Sequence, residues 1–119
     1  MEPDLLDSNC PSRQVLDRIG DRWSVLVVAI LGDGPRRYGE LASTIEGISQ
    51  KMLTQTLRGL ERDGLITRTV HASVPPRVDY ELTRLGRTLS APLYALEAWA
   101  RDHMGDVVAA RSKYDAKQA

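Results

Sequence analysis

Lys51, Thr54, Gln55 and Arg58 recur at spacings of three, one and three residues. A helix advances about 100° per residue, so these four side chains share one side of it. Their types suit the edges of nucleic-acid bases. Glutamine can bond adenine at two atoms, arginine or lysine can bond guanine, and threonine can touch a thymine methyl or a phosphate. Ser49 and Gln50 stand just ahead, at the N-terminus of the same helix, where free backbone amides favour a phosphate. Further basic groups lie on either side: Arg36 and Arg37 before this helix, and Arg68, His71 and Arg77 after it. The chemistry open to this set is the reading of a duplex, with Arg36, Arg37, His71 and Arg77 placed to fix register on phosphates. A solvated face on an ordinary amphipathic helix is the bland reading of the same four residues.

Bond-making chemistry finds no comparable support. His71 and His103 are the only histidines, and neither has a nucleophile or metal-ligand partner at a usable spacing. No glycine-rich phosphate loop occurs, and the single cysteine, Cys10, can form neither an intrachain disulfide nor a zinc site. The chain is expected not to be an enzyme and to need no cofactor or metal.

Reading DNA requires elements that hold the polar side outward. Leu53, Leu57 and Leu60 fall within one narrow arc of the Ser49–Arg62 helix, opposite Lys51, Gln55 and Arg58, so burial of that arc turns the polar arc out. A short helix from about Tyr38 to Ile45 comes first, with Leu41, Ile45 and Ile48 facing inward, and Glu46-Gly47-Ile48 makes the turn between the two helices. Gly47 suits that turn because glycine accepts a left-handed backbone. After Asp63-Gly64, residues 65–71 and 77–82 alternate apolar and polar, as half-buried strands do. Pro75 and Pro76 between them belong at the tip, since proline cannot donate into a sheet.

The order of short helix, turn, amphipathic helix and hairpin is that of a winged helix-turn-helix, which puts one helix into a major groove. Upstream, Ser12 is the expected N-cap of a first helix carrying Val15, Leu16 and Ile19. Asp21 is the expected cap of a second helix anchored by Trp23, Leu26, Val27, Ile30 and Leu31. Downstream, Thr83 is expected to cap a long helix to about His103, kinked or divided at Pro92. The fold class is mainly α with a small β-hairpin (α+β), organised as a lead-in over 1–11, a domain over 12–104 and a polar tail over 105–119 that should fray.

The bulk numbers agree with that reading. A chain of 119 residues with 42% hydrophobic content suits one small domain with a packed core. Net charge is zero, but residues 36–77 hold seven basic and four acidic groups, a net of +3, whereas residues 1–35 hold three basic and six acidic. The positive excess therefore falls on the segment that would meet phosphates. The longest apolar run, Val25 to Leu31, is too short to span a membrane. The Met-Glu-Pro-Asp start has neither the basic nor the apolar region of a signal peptide. No membrane partner and a cytoplasmic location are the expectation.

Stretch by stretch, the chain resembles the HxlR-type winged-helix transcriptional regulators. The resemblance rests on Cys10-Pro11, Ile19-Gly20-Asp21-Arg22-Trp23, Arg37-Tyr38-Gly39-Glu40-Leu41, Gly47 to Thr54, Leu57 to Ile66, Val74 to Tyr80 and Leu82 to Gly86. Pro75-Pro76-Arg77-Val78 before Tyr80 is the most specific mark; Tyr38 stands where the family often has Phe. The resemblance implies a homodimer on double-stranded DNA, bound to an inverted repeat and acting on nearby genes, with repression the expected sign. It also implies N- and C-terminal dimerisation helices, the first helix and the last. The apolar positions Leu85, Leu89, Leu93, Leu96 and Trp99 agree, being more than one small domain readily hides.

The resemblance also points to Cys10 as a sensing residue, since several relatives look like redox or electrophile sensors with a cysteine near this position. A helix N-terminus lowers a thiol's pKa, and Arg13 is close in sequence. The effector would be a small electrophile or oxidant, and the products a Cys10–Cys10 bridge between subunits, a mixed disulfide or an adduct. The competing reading of Cys10 is a small apolar residue at the subunit contact. Two alternatives to the whole scheme remain: control by a small ligand near Trp23, Tyr94 and Trp99, and a winged helix that binds protein instead of DNA.

Overall fold

Leu53, Leu57 and Leu60 have at most 2% of their surface exposed, and the fold is built around them. They lie on α4 (Gln50–Arg62), which the computed structural model, describing residues 4–118, places against α2 (Arg22–Leu31) and a small sheet. Val27, Val28 and Leu31 of α2, Leu41 and Ile45 around α3 (Tyr38–Thr44), and Leu65, Ile66, Tyr80 and Leu82 of the sheet region complete the core. Trp23 packs against its edge, with the Arg22 guanidinium 4.3 Å from its ring centre. The helix starts follow side-chain capping. Asp21 accepts from the Ser24 amide at 3.1 Å, and Ser49 from the Met52 amide at 3.1 Å.

The turn between α3 and α4 uses Gly47 at φ +83°, and the corner after α4 uses Gly64 at φ +76°. Both values lie where a Cβ is disfavoured. β2 (Ile66–His71) and β3 (Arg77–Leu82) form the expected antiparallel hairpin, with Arg68 opposite Tyr80 and His71 opposite Arg77. A third strand, β1 (Arg36–Arg37), pairs antiparallel with β3 and makes the sheet order β1-β3-β2. Two residues carry no readable alternation, which is why sequence patterning does not find β1.

Both terminal helices differ from expectation. α1 spans Pro11–Gly20, and its N-cap is Cys10 rather than Ser12. Pro11 takes the first helical position, where its missing N–H costs nothing. Val15 and Leu16 on it are exposed. Thr83 caps only the one-turn helix α5 (Arg84–Arg87), accepting from the Gly86 amide at 3.0 Å. A separate helix α6 then runs unbroken from Ser90 to Gln118. Pro92 sits in its first turn, so it neither kinks nor divides the helix. The helix also continues well beyond His103, through the segment expected to fray.

Gly86 explains why α5 can press on the sheet. A Cβ placed there would collide with the Leu65 carbonyl oxygen, and that oxygen already accepts the Thr83 amide at 3.0 Å. The nearest atoms belong to the Leu65 backbone, which has no flexible end to yield. Gly86→Ala should therefore lower unfolding free energy by about 1–3 kcal/mol, the usual cost of overpacking. Urea denaturation checks this; an unchanged midpoint would contradict the close approach.

Candidate nucleic-acid interface

Burial of one arc of α4 leaves the other free. Gln50, Lys51, Gln55 and Arg58 are exposed, and no ion pair among the described residues occupies Lys51 or Arg58. Arg58 and Thr54 border a polar groove between α4 and the sheet, closed on the far side by Arg68 and Tyr80. Glu61 is the acidic group of that groove. Ser49 spends its hydroxyl oxygen on the Met52 amide, which leaves the amides of Gln50 and Lys51 at the open end of the helix.

Thr54 lies about 100° round the helix from Leu53, at the margin of the polar arc. It is half-buried, with its hydroxyl 3.3 Å from the Tyr38 hydroxyl. Tyr38 also donates to the Gln50 carbonyl at 3.1 Å. Tyr38 thus clamps the first turn of α4 to α3, a role that sequence reading missed. The signal was available: a hydroxyl-bearing residue stands where the resembling family often carries Phe. Arg68 was seen as a wing residue, but its place across the groove from Arg58 needs the packing of α4 on β2.

The flanking groups fall into two sets. Arg37 is exposed at the N-cap of α3, where its amide donates to the Glu40 carboxylate at 3.1 Å. Arg36 is half-buried and turns its guanidinium back to the Pro35 carbonyl at 3.0 Å. On the wing, the Asp79 carboxylate collects two partners, His71 Nε2 at 2.8 Å and Arg77 Nε at 3.5 Å. Asp79 orients both side chains at the base of the loop and offsets part of the Arg77 charge. Lys51, Gln55 and Arg58 are thus gathered on one helix face, while Arg37 and Arg77 line a second recess together, between β1 and the wing loop.

The surface is open, charged and polar, as a surface meeting a phosphate-lined groove must be. A family model described as HxlR-like helix-turn-helix matches residues 18–107. The chain belongs to the HxlR-like helix-turn-helix family. Its relatives include the HTH-type transcriptional regulator YtfH of Escherichia coli, 40% identical over 112 residues, which cover 94% of this chain and 89% of YtfH. Among solved structures it is similar to the transcriptional regulator ytfH from Salmonella typhimurium, with a TM-score of 0.85 and 40% identity over 93% of this chain and 99% of that one. It is also similar to the redox regulator HypR in its oxidised form, with a TM-score of 0.72 and 39% identity over 78% and 96% of the two chains. This HxlR-like chain is a transcriptional regulator of the helix-turn-helix type, not an enzyme. Among the described residues no helix is long and apolar enough to cross a membrane, and no cluster of metal-binding side chains occurs.

Cys10 is the N-cap of α1, and its side chain is partly exposed. Its thiol pKa is lowered, chiefly because the Arg13 backbone amide points at the sulfur and, less, through Ser12; desolvation opposes this. The amides of an open helix end stabilise a thiolate in this way.

Proposed function

We propose that the chain is a homodimeric repressor that binds an inverted-repeat operator, reading bases through Gln50, Lys51, Thr54, Gln55 and Arg58. Ser49, Arg36, Arg37, His71 and Arg77 hold phosphates. The single observation that carries the reading is the split character of α4: three leucines sealed in the core and an unpaired Lys51 and Arg58 on the opposite side. Two such helices about one turn of DNA apart would meet successive major grooves. Repression follows from occupying DNA that another protein must use, in the cytoplasm where the chromosome lies.

The dimer is supported by apolar surface that the chain leaves open. Val15 and Leu16 on α1 are exposed, as are Leu96, Trp99, Met104 and Val108 on α6. Scattered single apolar residues are ordinary, but a run of them along two terminal helices that both pack on α2 marks an interaction face. Selection of bound sequences from random duplex DNA tests the whole reading. It should return a two-fold-symmetric motif whose binding weakens steeply with salt. Recovery of no motif, with salt-insensitive binding, would favour a protein-interaction module instead. Transcription in vitro from a promoter overlapping that motif should fall as the regulator is added.

Control is assigned to Cys10. Its lowered pKa puts more thiolate at neutral pH, and thiolate is the reactive form. Two Cys10 thiols from paired subunits can be oxidised to one disulfide, while the N=N bond of diamide takes up the two electrons and two protons. Diamide should abolish operator binding by the wild type and leave Cys10→Ser unaffected, with a reducible dimer on non-reducing gels. Equal loss in both proteins would remove Cys10 from the mechanism.

A second reading has its own observation. A cavity of about 660 Å³ between α2 and α6, lined mainly by apolar groups including Leu26, Leu93 and Tyr94 but by neither Trp23 nor Trp99, is large enough for a small organic molecule. Retained induction in Cys10→Ser would favour that site as the one the effector uses.

A further inference from the structure

Arg18 is one of the few side chains of α1 that reaches the body of the domain. No residue of α1 is buried, yet Arg18 is half-buried. Its Nε donates to the Asp63 carboxylate at 2.9 Å, across 45 residues of chain. Its guanidinium lies against Gly59, so close that a Cβ at position 59 would collide with it. Gly59 is buried although it lies about 120° round α4 from Leu53, outside the apolar arc. The side chain from α1 is what covers it.

Asp63 is the C-cap of α4, and Gly64 then turns the chain into β2. Arg18 is therefore attached at the corner from which both the reading helix and the wing depart. Its own helix carries the exposed Val15 and Leu16 on its surface.

We propose that Arg18 is a positioning residue for DNA recognition. Through Asp63 and Gly59 it fixes α4 relative to α1, and so sets which separation of two half-sites the dimer accepts. The inference rests on the dimeric, inverted-repeat reading above. A charged, planar group clamped between a carboxylate and a bare backbone has one comfortable place, so the angle between the two helices is held by geometry and charge together. Loosening it leaves each reading face intact and frees the distance between the two.

The test uses the full chain in four forms: wild type, Arg18→Gln, Arg18→Lys and Gly59→Ala. Each selects DNA from a library in which two copies of the half-site, taken from the wild-type motif, are separated by spacers of varied length. Gly59→Ala is the sharpest variant. Alanine is the better helix former, and the atoms that its methyl displaces are the far end of a flexible side chain, so the protein folds while the clamp opens. Wild type should prefer one separation. Arg18→Gln and Gly59→Ala should bind the same half-site sequence but lose at least about fivefold of that spacing preference, and Arg18→Lys should recover part of it. Unchanged spacing preference in Gly59→Ala, with Arg18→Gln also unchanged or unfolded, would overturn the proposal. A wild type that selects no paired half-sites would overturn the dimeric reading, and this one with it.

Discussion

Arg58→Ala should weaken operator binding by about 1–3 kcal/mol at each half-site, and so by roughly 2–6 kcal/mol for a dimer that uses the residue twice. Arg58 is exposed on α4 and carries no ion pair in the described structure, so its hydrogen-bonding capacity is unspent. It faces outward from the body because Leu57, its neighbour, is sealed in the core. An arginine bonded to both acceptors of a guanine also discriminates between bases. The variant should accordingly bind with relaxed preference at one base position of each half-site. Fluorescence anisotropy with the selected operator, and with a set of single-base variants, measures both effects. Arg77→Ala makes the contrast. Arg77 sits beside the wing loop and is partly neutralised by Asp79, so its loss should weaken all sequences alike and flatten the salt dependence. An Arg58→Ala protein with the affinity and base preference of wild type would take that residue out of base reading.

The second large effect falls on the core. Leu53→Ala should cost about 2–5 kcal/mol of stability, as fully buried leucines do when truncated. Leu53 has no exposed surface and sits one turn into α4, directly behind the polar groups. Most single domains of this size have only about 5–15 kcal/mol in total. Thermal and urea unfolding should both register the change. Because Leu53 seats the N-terminal half of α4, DNA affinity should fall as well, although the leucine touches no DNA. Lowering the temperature should restore part of that affinity, which distinguishes loss of folded protein from loss of a contact.

How much could be read from the residues alone depended on whether the signal was local. The α4 faces were legible because Leu53, Leu57 and Leu60 repeat at helical spacing within thirteen residues. The cap at Asp21 was legible because capping is a short-range bond. The hairpin was legible from alternation and the Pro75-Pro76 tip. Three features were not. β1 is two residues long and exists only because β3 offers a free edge. The joint between α5 and α6 was misplaced because proline reads as a breaker, yet it is tolerated in a first turn. The Arg18 contact joins residues 45 positions apart, and no periodicity in either segment announces it. In the candidate site, residue types and facing were visible beforehand. The Tyr38 clamp on Thr54 and the sharing of Asp79 by His71 and Arg77 were not, because each depends on which strands and helices become neighbours.

The long C-terminal helix carries a further physical consequence. At about 1.5 Å per residue its 29 residues make a rod of roughly 43 Å, with Leu96 and Trp99 each more than half exposed to water along it. Whatever covers that rod binds the folded chain and not the unfolded one, so it stabilises the fold by mass action. If the cover is a second copy, the melting temperature becomes a function of how many molecules the solution holds. A dilution series would then read out the strength of self-association without any DNA being present.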